Sequence, residues 1–352
     1  MAIFRAILVG LLCLPALATP DWVATDKAGT GFVLAESGAK FTPWGFNYFR
    51  DEKHRLLEDY WNDDGPQGWA KFDRDFREMK RLGANVVRLH LQFAKFMDAP
   101  GKPNQQNLAR LAKVIDLAEE LGVYLDITGL GTYRLKDVPA WYREATEKEH
   151  WAMQAEFWGA VAQVCANRPA VFAYNLMNEP LATGSKQPSA QWTNPTALDG
   201  LTYIEYVNID PYNRKPPEIA RAWIREMTAA IRKHDQRHLI TVGLIWVSNV
   251  NPEVWSGFPP KEIASELDFL AVHVYPDKGK ISVALDSLSR YRVGKPIVVE
   301  ETFPMNCSPT EWREFLENSR GFARLAGAVL GSVAARHRGV GRCGPRTAPR
   351  PV

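Results

Sequence analysis

The chain has 352 residues, 46% of them hydrophobic, with 43 Lys and Arg against 40 Asp and Glu. That length holds one large domain or two small ones, and that apolar share excludes wholesale disorder. The formal charge of +3 comes from the end of the chain, where six Arg and no Asp or Glu follow from Arg324 onward; taking those six away leaves −3 and no basic stripe of the kind that holds nucleic acid.

Residues 1–18 read as an export signal. Arg5 supplies a positive start, Ile7 to Leu17 is an apolar run, and Ala16-Leu17-Ala18 offers the small residues after which signal peptidase cuts. The run is too short to span a bilayer, and nothing later is apolar enough to do so. The expected location is therefore secreted or periplasmic, without stable membrane association. Cys13 leaves with the signal. Cys165, Cys307 and Cys343 have no metal-ligand spacing, and Cys165 falls in a helical pattern as a buried apolar residue.

Strands and helices then alternate. Phe41 to Tyr48 reads as a strand, Trp69 to Leu82 as a helix with Phe72, Phe76 and Met79 on one face, and Asn85 to Leu91 as a short β-rich run. Asn104 to Leu121 is helical and closed by Gly122; Val123 to Thr128 is a strand; His150 to Ala166 is a helix; Ala170 to Leu176 is a strand. Leu181 to Lys215 is a long polar insertion carrying Trp192, Tyr203, Tyr206 and Tyr212, either a cleft wall or a surface excursion. Pro216 to His234 is an amphipathic helix, Leu239 to Gly243 and Leu267 to Tyr275 are strands, Ile281 to Tyr291 is a helix, and Pro296 to Glu301 is a seventh strand. Ser308 to Arg320 is a helix opened by a Ser308/Glu311 capping box.

The strands are near-continuous apolar runs, as in parallel sheets covered on both faces. Units of roughly 30–45 residues fit an α/β fold of the (β/α)8 barrel type, over residues 19–323, better than an open doubly wound sheet. An eighth strand is missing. Residues 324–352 are rich in Ala, Gly, Arg and Pro and lack strand character. The tail is expected to be disordered or out of frame: one permitted codon choice for Arg324 to Gly331, read one base later, encodes Gly-Trp-Leu-Gly-Arg-Phe-Trp, which has strand character.

Two carboxylate positions carry the chemistry. Asn178-Glu179-Pro180 follows the fourth strand, and Glu300-Glu301 ends the seventh. In a barrel both strand ends face one mouth. Retaining glycoside hydrolysis needs two carboxyl groups about 5–5.5 Å apart, one donating a proton to the leaving oxygen and the other attacking the sugar carbon. Asn178 beside the acid can hold a sugar hydroxyl. Because strand side chains alternate, one of Glu300 and Glu301 points into the mouth. Surplus Trp, 12 in all, suits stacking on pyranose rings as well as core packing.

With these positions in place the chain resembles glycoside hydrolase family 5, of the cellulase and mannanase kind, from Trp44 to Glu301. Arg88 in NVVRL, Asn178 and Glu179, His273 and Tyr275 in AVHVYP, and the run Lys295 to Glu301 carry the likeness. The resemblance implies a (β/α)8 barrel that hydrolyses O-glycosidic bonds in β-linked polysaccharides or oligosaccharides, of the β-glucan or β-mannan type, by retaining double displacement without cofactor or metal. It implies Glu179 as acid/base and, counting from Lys295-Pro296, Glu301 as nucleophile, with Glu300 its rival. It further implies Arg88 and Tyr275 on the nucleophile and His273 on the substrate or the acid/base. His90, two residues beyond Arg88, points the same way and is a further cleft candidate; Asn47, Trp44 and Trp246, near strand ends, are candidates for sugar subsites. The chain departs from the family in LDITGLG, where Thr128 and Gly129 stand in place of the usual His, and in Thr302-Phe303 after the nucleophile. Three other readings stand beside this one: an exo-acting β-glycosidase, a carbohydrate-binding barrel left inactive by its altered C-terminus, and a metal hydrolase. The last is disfavoured because His90 and His273 have no carboxylate cluster at ligand spacing in the sequence.

Overall fold

A computed structural model describes residues 20–184, 189, 191–194, 197–245, 256–320 and 331–332. The signal segment 1–18, Trp246, and all of the tail except residues 331–332 lie outside the described residues.

Eight parallel strands follow one another around a single sheet: β1 (Gly45–Tyr48), β2 (Val86–Gln92), β3 (Tyr124–Gly131), β4 (Val171–Asn178), β5 (Leu239–Ile245), β6 (Leu270–His273), β7 (Ile297–Glu301) and β8 (Gly331–Ser332). Seven are barrel strands in the expected chain order. The eighth is a two-residue stub, Gly331 and Ser332 pairing with Phe46 and Asn47 of β1. The tail thus supplies two paired residues where none were expected, and among the described residues no ladder joins β8 to β7. The barrel is nearly closed, without a full eighth strand.

Among the described residues, six helices of more than two turns flank it: α1 (Trp69–Arg81), α2 (Gln105–Leu121), α3 (Glu147–Cys165), α4 (Pro216–Arg232), α5 (Ile281–Ser289) and α6 (Pro309–Ser319). Local chemistry sets their ends. Asn104 accepts from the Asn107 amide at the start of α2, and Gly122 ends it in the left-handed region at φ 59°. Thr146 and Glu149 form a capping box on α3, and Ser308 and Glu311 form the expected one on α6. Phe72, Phe76 and Met79 bury the inner face of α1 as their spacing requires. Cys165 is a buried free thiol on α3, and Cys307 is also free.

The expected first strand divides in two. Lys40–Phe41 belongs to a separate antiparallel sheet with Val23–Thr25 and Phe32–Leu34, and Pro43, which cannot donate to a ladder, stands between it and β1. This small sheet seals the N-terminal end of the barrel. Phe32 and Phe41 pack there with Val86, Tyr124, Phe172, Leu239, Phe269 and Val298, each at or near the start of a barrel strand. The opposite end, where the strands finish, is left for chemistry.

Candidate active site

The ends of three strands converge at the C-terminal mouth. Glu179 follows β4, His273 ends β6, Tyr275 lies just beyond it, and Glu301 ends β7. One side-chain ligand atom each from Glu179, His273 and Glu301 lie within 4.8 Å of one another. Chain spacing hid this cluster, because three separate strands assemble it; the absence of carboxylates around His273 in the sequence does not hold in three dimensions. Arg88 of β2 reaches up from the floor, fully buried. Its Nη1 donates to Asn47 Oδ1 at 3.0 Å and to Glu301 Oε1, and its Nη2 donates to Asn178 Oδ1 at 3.1 Å and pairs with Glu300 Oε2 at 3.2 Å. Tyr275 donates to the other Glu301 oxygen at 2.6 Å.

Glu300 and Glu301 differ in surroundings. The Glu301 side chain is 16% exposed and faces the mouth. Glu300 is fully buried beneath it, and its Oε2 accepts from Asn175 at 2.7 Å and from His273 Nε2 at 3.2 Å. His273 uses its other nitrogen on Glu179 Oε1 at 2.9 Å. Nε2 donates to Glu300, and the hydrogen bond between Nδ1 and Glu179 carries one shared proton, which on the ring gives imidazolium and on Glu179 gives the carboxylic acid that a proton donor needs. Burial opposes that charge, yet the Glu301 charge and the hydrogen bonds to Glu179 and Glu300 more than reverse the effect and push His273 up to about 9. Burial also works against ionised Glu301, but the His273 and Arg88 charges and the Tyr275 hydroxyl hold it below the usual carboxylate range.

A second carboxyl group lies beneath. Asp126 of β3 is buried and hydrogen-bonded to Glu300, and burial, followed by the Glu300 charge, pushes it well above its ordinary range. Asp126 Oδ1 and Glu300 Oε1 are both buried and have no other donor among the described residues. A proton on Asp126 satisfies both. Asp126 and Asn175 were not singled out from sequence; the available signal was a polar residue inside an otherwise apolar buried strand.

The backbone is shaped to this cluster. Glu179 sits at φ 46°, a left-handed conformation that costs a non-glycine residue about 1–3 kcal/mol. Its amide donates to Gly243 O at 2.9 Å, which fixes the turn, and Pro180 disfavours the ordinary helical alternative. Gly243 of β5 has no side chain for a related reason: a Cβ there would lie 3.0 Å from Arg88 Nη2 and 3.1 Å from His273 Nε2.

Not every candidate joins the site. Trp44 precedes β1, and its backbone bonds Asn85 and Val86 at the start of β2. It therefore lies at the sealed end of the barrel, 41% exposed, and does not line the mouth. Sequence reasoning placed it near a strand end but could not tell which end. Asn47 and His90 are at the mouth but covered. His90 bonds Tyr133 through Nδ1 and Asn47 Oδ1 through Nε2 at 3.2 Å, and Asn47 Nδ2 donates to Glu300 O at 3.2 Å. Asn178 also spends its amide within the protein, on Tyr203 O at 3.0 Å.

What covers them is the insertion after β4, which is a wall and not a surface excursion. Tyr203 packs on Tyr133 with ring centroids 5.0 Å apart and on Phe49 edge-on at 5.8 Å, and Phe49 lies 5.3 Å from His90. Thr202 donates its amide to Tyr133 O at 2.9 Å, Asp199 pairs with Arg50 at 3.0 Å, and Trp192 stacks on His150 of α3 at 3.8 Å. Gly129 packs instead against the helix layer: a Cβ there would lie 2.5 Å from the Trp158 ring of α3.

The chain is similar to known proteins. A mannan endo-1,4-beta-mannosidase 5 from Arabidopsis thaliana is 32% identical over 124 residues, 32% of this chain and 22% of the relative. A probable mannan endo-1,4-beta-mannosidase C from Aspergillus terreus is 30% identical over 170 residues, 45% of this chain and 37% of the relative. The matches thus span well under half the length of these relatives. In structure, an exo-beta-1,4-mannosidase from an Opitutaceae bacterium superposes with a TM-score of 0.64 at 19% identity, covering 88% of this chain and 54% of that one, and so shares the fold. The family model described as Cellulase (glycosyl hydrolase family 5) matches residues 35–313, most of the chain. The chain belongs to glycosyl hydrolase family 5.

Proposed function

We propose that the protein is a retaining β-glycoside hydrolase acting on β-mannan or β-glucan chains or their oligosaccharides, with Glu179 as acid/base and Glu301 as nucleophile. The observation that carries this is the approach of Glu179, His273 and Glu301 to within 4.8 Å at one mouth, with both Glu301 oxygens held by Arg88 and Tyr275. That separation matches double displacement, where no water need fit between the carboxyls in the first step.

In that step a Glu301 oxygen bonds to the anomeric carbon while the bond from that carbon to the leaving oxygen breaks and Glu179 gives that oxygen its proton. Glu301 loses its charge as the ester forms. In the second step Glu179 takes a proton from water, the water oxygen bonds to the anomeric carbon, and Glu301 departs as a carboxylate again. Arg88 and Tyr275 bind the ionised carboxylate more strongly than the ester, so they favour its departure. Glu301 is the better nucleophile than Glu300 because its side chain reaches solvent, whereas every approach to Glu300 passes Arg88, Asn175 and His273.

The relatives' names favour mannan as the first substrate to test. Residues 1–18, as an export signal, would bring the enzyme to such polymers outside the cytoplasm; finding the mature N-terminus at Thr19 in an extracellular or periplasmic fraction tests that. For the activity, an aryl β-mannoside, an aryl β-glucoside and the corresponding polymers are assayed with Glu179→Ala and Glu301→Ala. The expected loss is about 10³-fold or more for either variant on unactivated substrate. Hydrolysis unchanged in either would overturn the assignment, and sugar binding with no hydrolysis in the unmutated protein would favour a carbohydrate-binding barrel.

A further inference from the structure

Among the described residues, one side of the catalytic pair is covered by aromatic rings and the other is not. Over β1, β2 and β3 the floor groups Asn47, Arg88 and His90 are buried. Above them stand Phe49, Tyr133 and Tyr203, ring against ring, with Leu56 and Leu201 packed behind. The wall is anchored at three points: Thr202 N to Tyr133 O at 2.9 Å, Asn178 Nδ2 to Tyr203 O at 3.0 Å, and the Arg50–Asp199 pair at 3.0 Å. It joins the segments that follow β1, β3 and β4, so it crosses that half of the mouth. On the β7 side the described residues differ. Phe303 and Met305, just beyond Glu301, are 42% and 52% exposed and offer an apolar shelf on which a pyranose face can pack.

An enzyme that cuts inside a polymer needs a groove open at both sides of the scissile bond. A wall within one ring's width of His90 leaves room for a short terminal portion of the chain and no more. We propose that Asp199 to Tyr203, with Phe49 and Tyr133, make this mouth a blind pocket, so that the enzyme acts on chain ends and releases a short sugar of fixed length. The proposal rests on the hydrolase reading above. Tyr203 and Asp199 are specificity-determining positions in it; Tyr203 meets Asn178 through its backbone oxygen, which a side-chain substitution leaves in place.

The test follows β-1,4-mannan and β-1,4-glucan digestion by viscosity and by new reducing ends, with early products sized by chromatography. The pocket predicts one short product from the start and little viscosity lost per bond cut. An early fall in viscosity with products of mixed length would overturn the pocket while leaving the hydrolase assignment standing. No turnover of either polymer or of aryl β-glycosides would overturn the hydrolase reading, and the pocket with it. Tyr203→Ala opens the wall, and Asp199→Ala loosens it at its pair with Arg50, where the Asp199 side chain is 53% exposed. Viscosity loss per bond should rise about tenfold in Tyr203→Ala, and less in Asp199→Ala. An action pattern identical to that of the unmutated enzyme in both would overturn the role of the wall.

Discussion

The two halves of the barrel mouth are built on different terms. On the β4–β7 side, ionisable groups face each other with no apolar cover among the described residues: Glu179, His273, Tyr275 and Glu301, with Glu300 beneath and Arg88 and Asp126 reaching in from β2 and β3. On the β1–β3 side, comparable polar groups, Asn47 and His90, are roofed by Phe49, Tyr133 and Tyr203. The first half has the charge and access needed for bond breaking. The second has neither, because His90 is buried and lies near the Arg88 guanidinium, and burial first and that charge next hold it well below its ordinary range, in the neutral form. One face of a strand can therefore carry both catalytic and structural polar residues: Arg88 and His90 are two apart on β2, yet one supports chemistry and the other supports the wall.

The largest effect on that contrast should come from the floor of the open half. Glu300→Gln leaves buried Arg88 and His273 short of a counter-charge and should cost about 3 kcal/mol of stability. It should also lower the His273 pKa and draw the alkaline limb of activity to lower pH. Asp126→Asn, which mimics the protonated carboxyl and still donates to Glu300, should cost less than about 1 kcal/mol. Urea unfolding and pH–rate profiles of the pair measure both. Equal losses in the two variants would contradict a proton held on Asp126. In the unmutated protein, the His273 contribution has a definite sign. Its folded pKa is raised, so its stabilisation is fully present below its ordinary value near 6.5 and is lost as pH rises through about 9.

A smaller effect is expected at Gly243. An alanine there pushes on Arg88 and His273 together, both held by hydrogen bonds, so kcat should fall about tenfold with KM little changed. Loss confined to KM would place the strain elsewhere.

The smallest belongs to the wall. Glu205 bonds Leu181 through its backbone and is buried; burial pushes its carboxyl up to about 8 against the hydrogen bonds from Thr132. A carboxyl whose folded pKa is raised favours the fold at low pH, and that contribution is lost as pH climbs from about 4.5 towards 8. Glu205→Gln should therefore raise Tm at pH 9 and leave it nearly unchanged at pH 5, by thermal melts at both. No difference between the two would mean that Glu205 is ionised in the fold.

The open half was largely legible in the sequence. Apolar runs located the strands, and Glu179 and Glu301 stood at their ends, where a parallel barrel brings them together. Arg88, Asn178, His273 and Tyr275 could be placed from resemblance to the family. The walled half was not legible. Tyr203 stands among several aromatics in a polar insertion, and its contacts with Tyr133 and Phe49 join segments far apart in the chain. Trp44 was misplaced because an apolar run does not say where a ladder starts; Pro43 was the clue that β1 begins after it. The N-terminal sheet was missed because its strands are only two or three residues long, below the length at which alternation can be read. Glu300 was read only as the rival of Glu301, and its contact with Asp126, a lone polar residue within an apolar run, needed the fold.

The account turns on Glu301 being the residue that forms the glycosyl bond. A 2-deoxy-2-fluoro glycoside with a good leaving group slows the second step and traps the ester, and peptide mapping by mass spectrometry then locates it. The account predicts one added sugar per active chain, on Glu301. A sugar on Glu300, or full turnover inhibition with no covalent adduct, would contradict it.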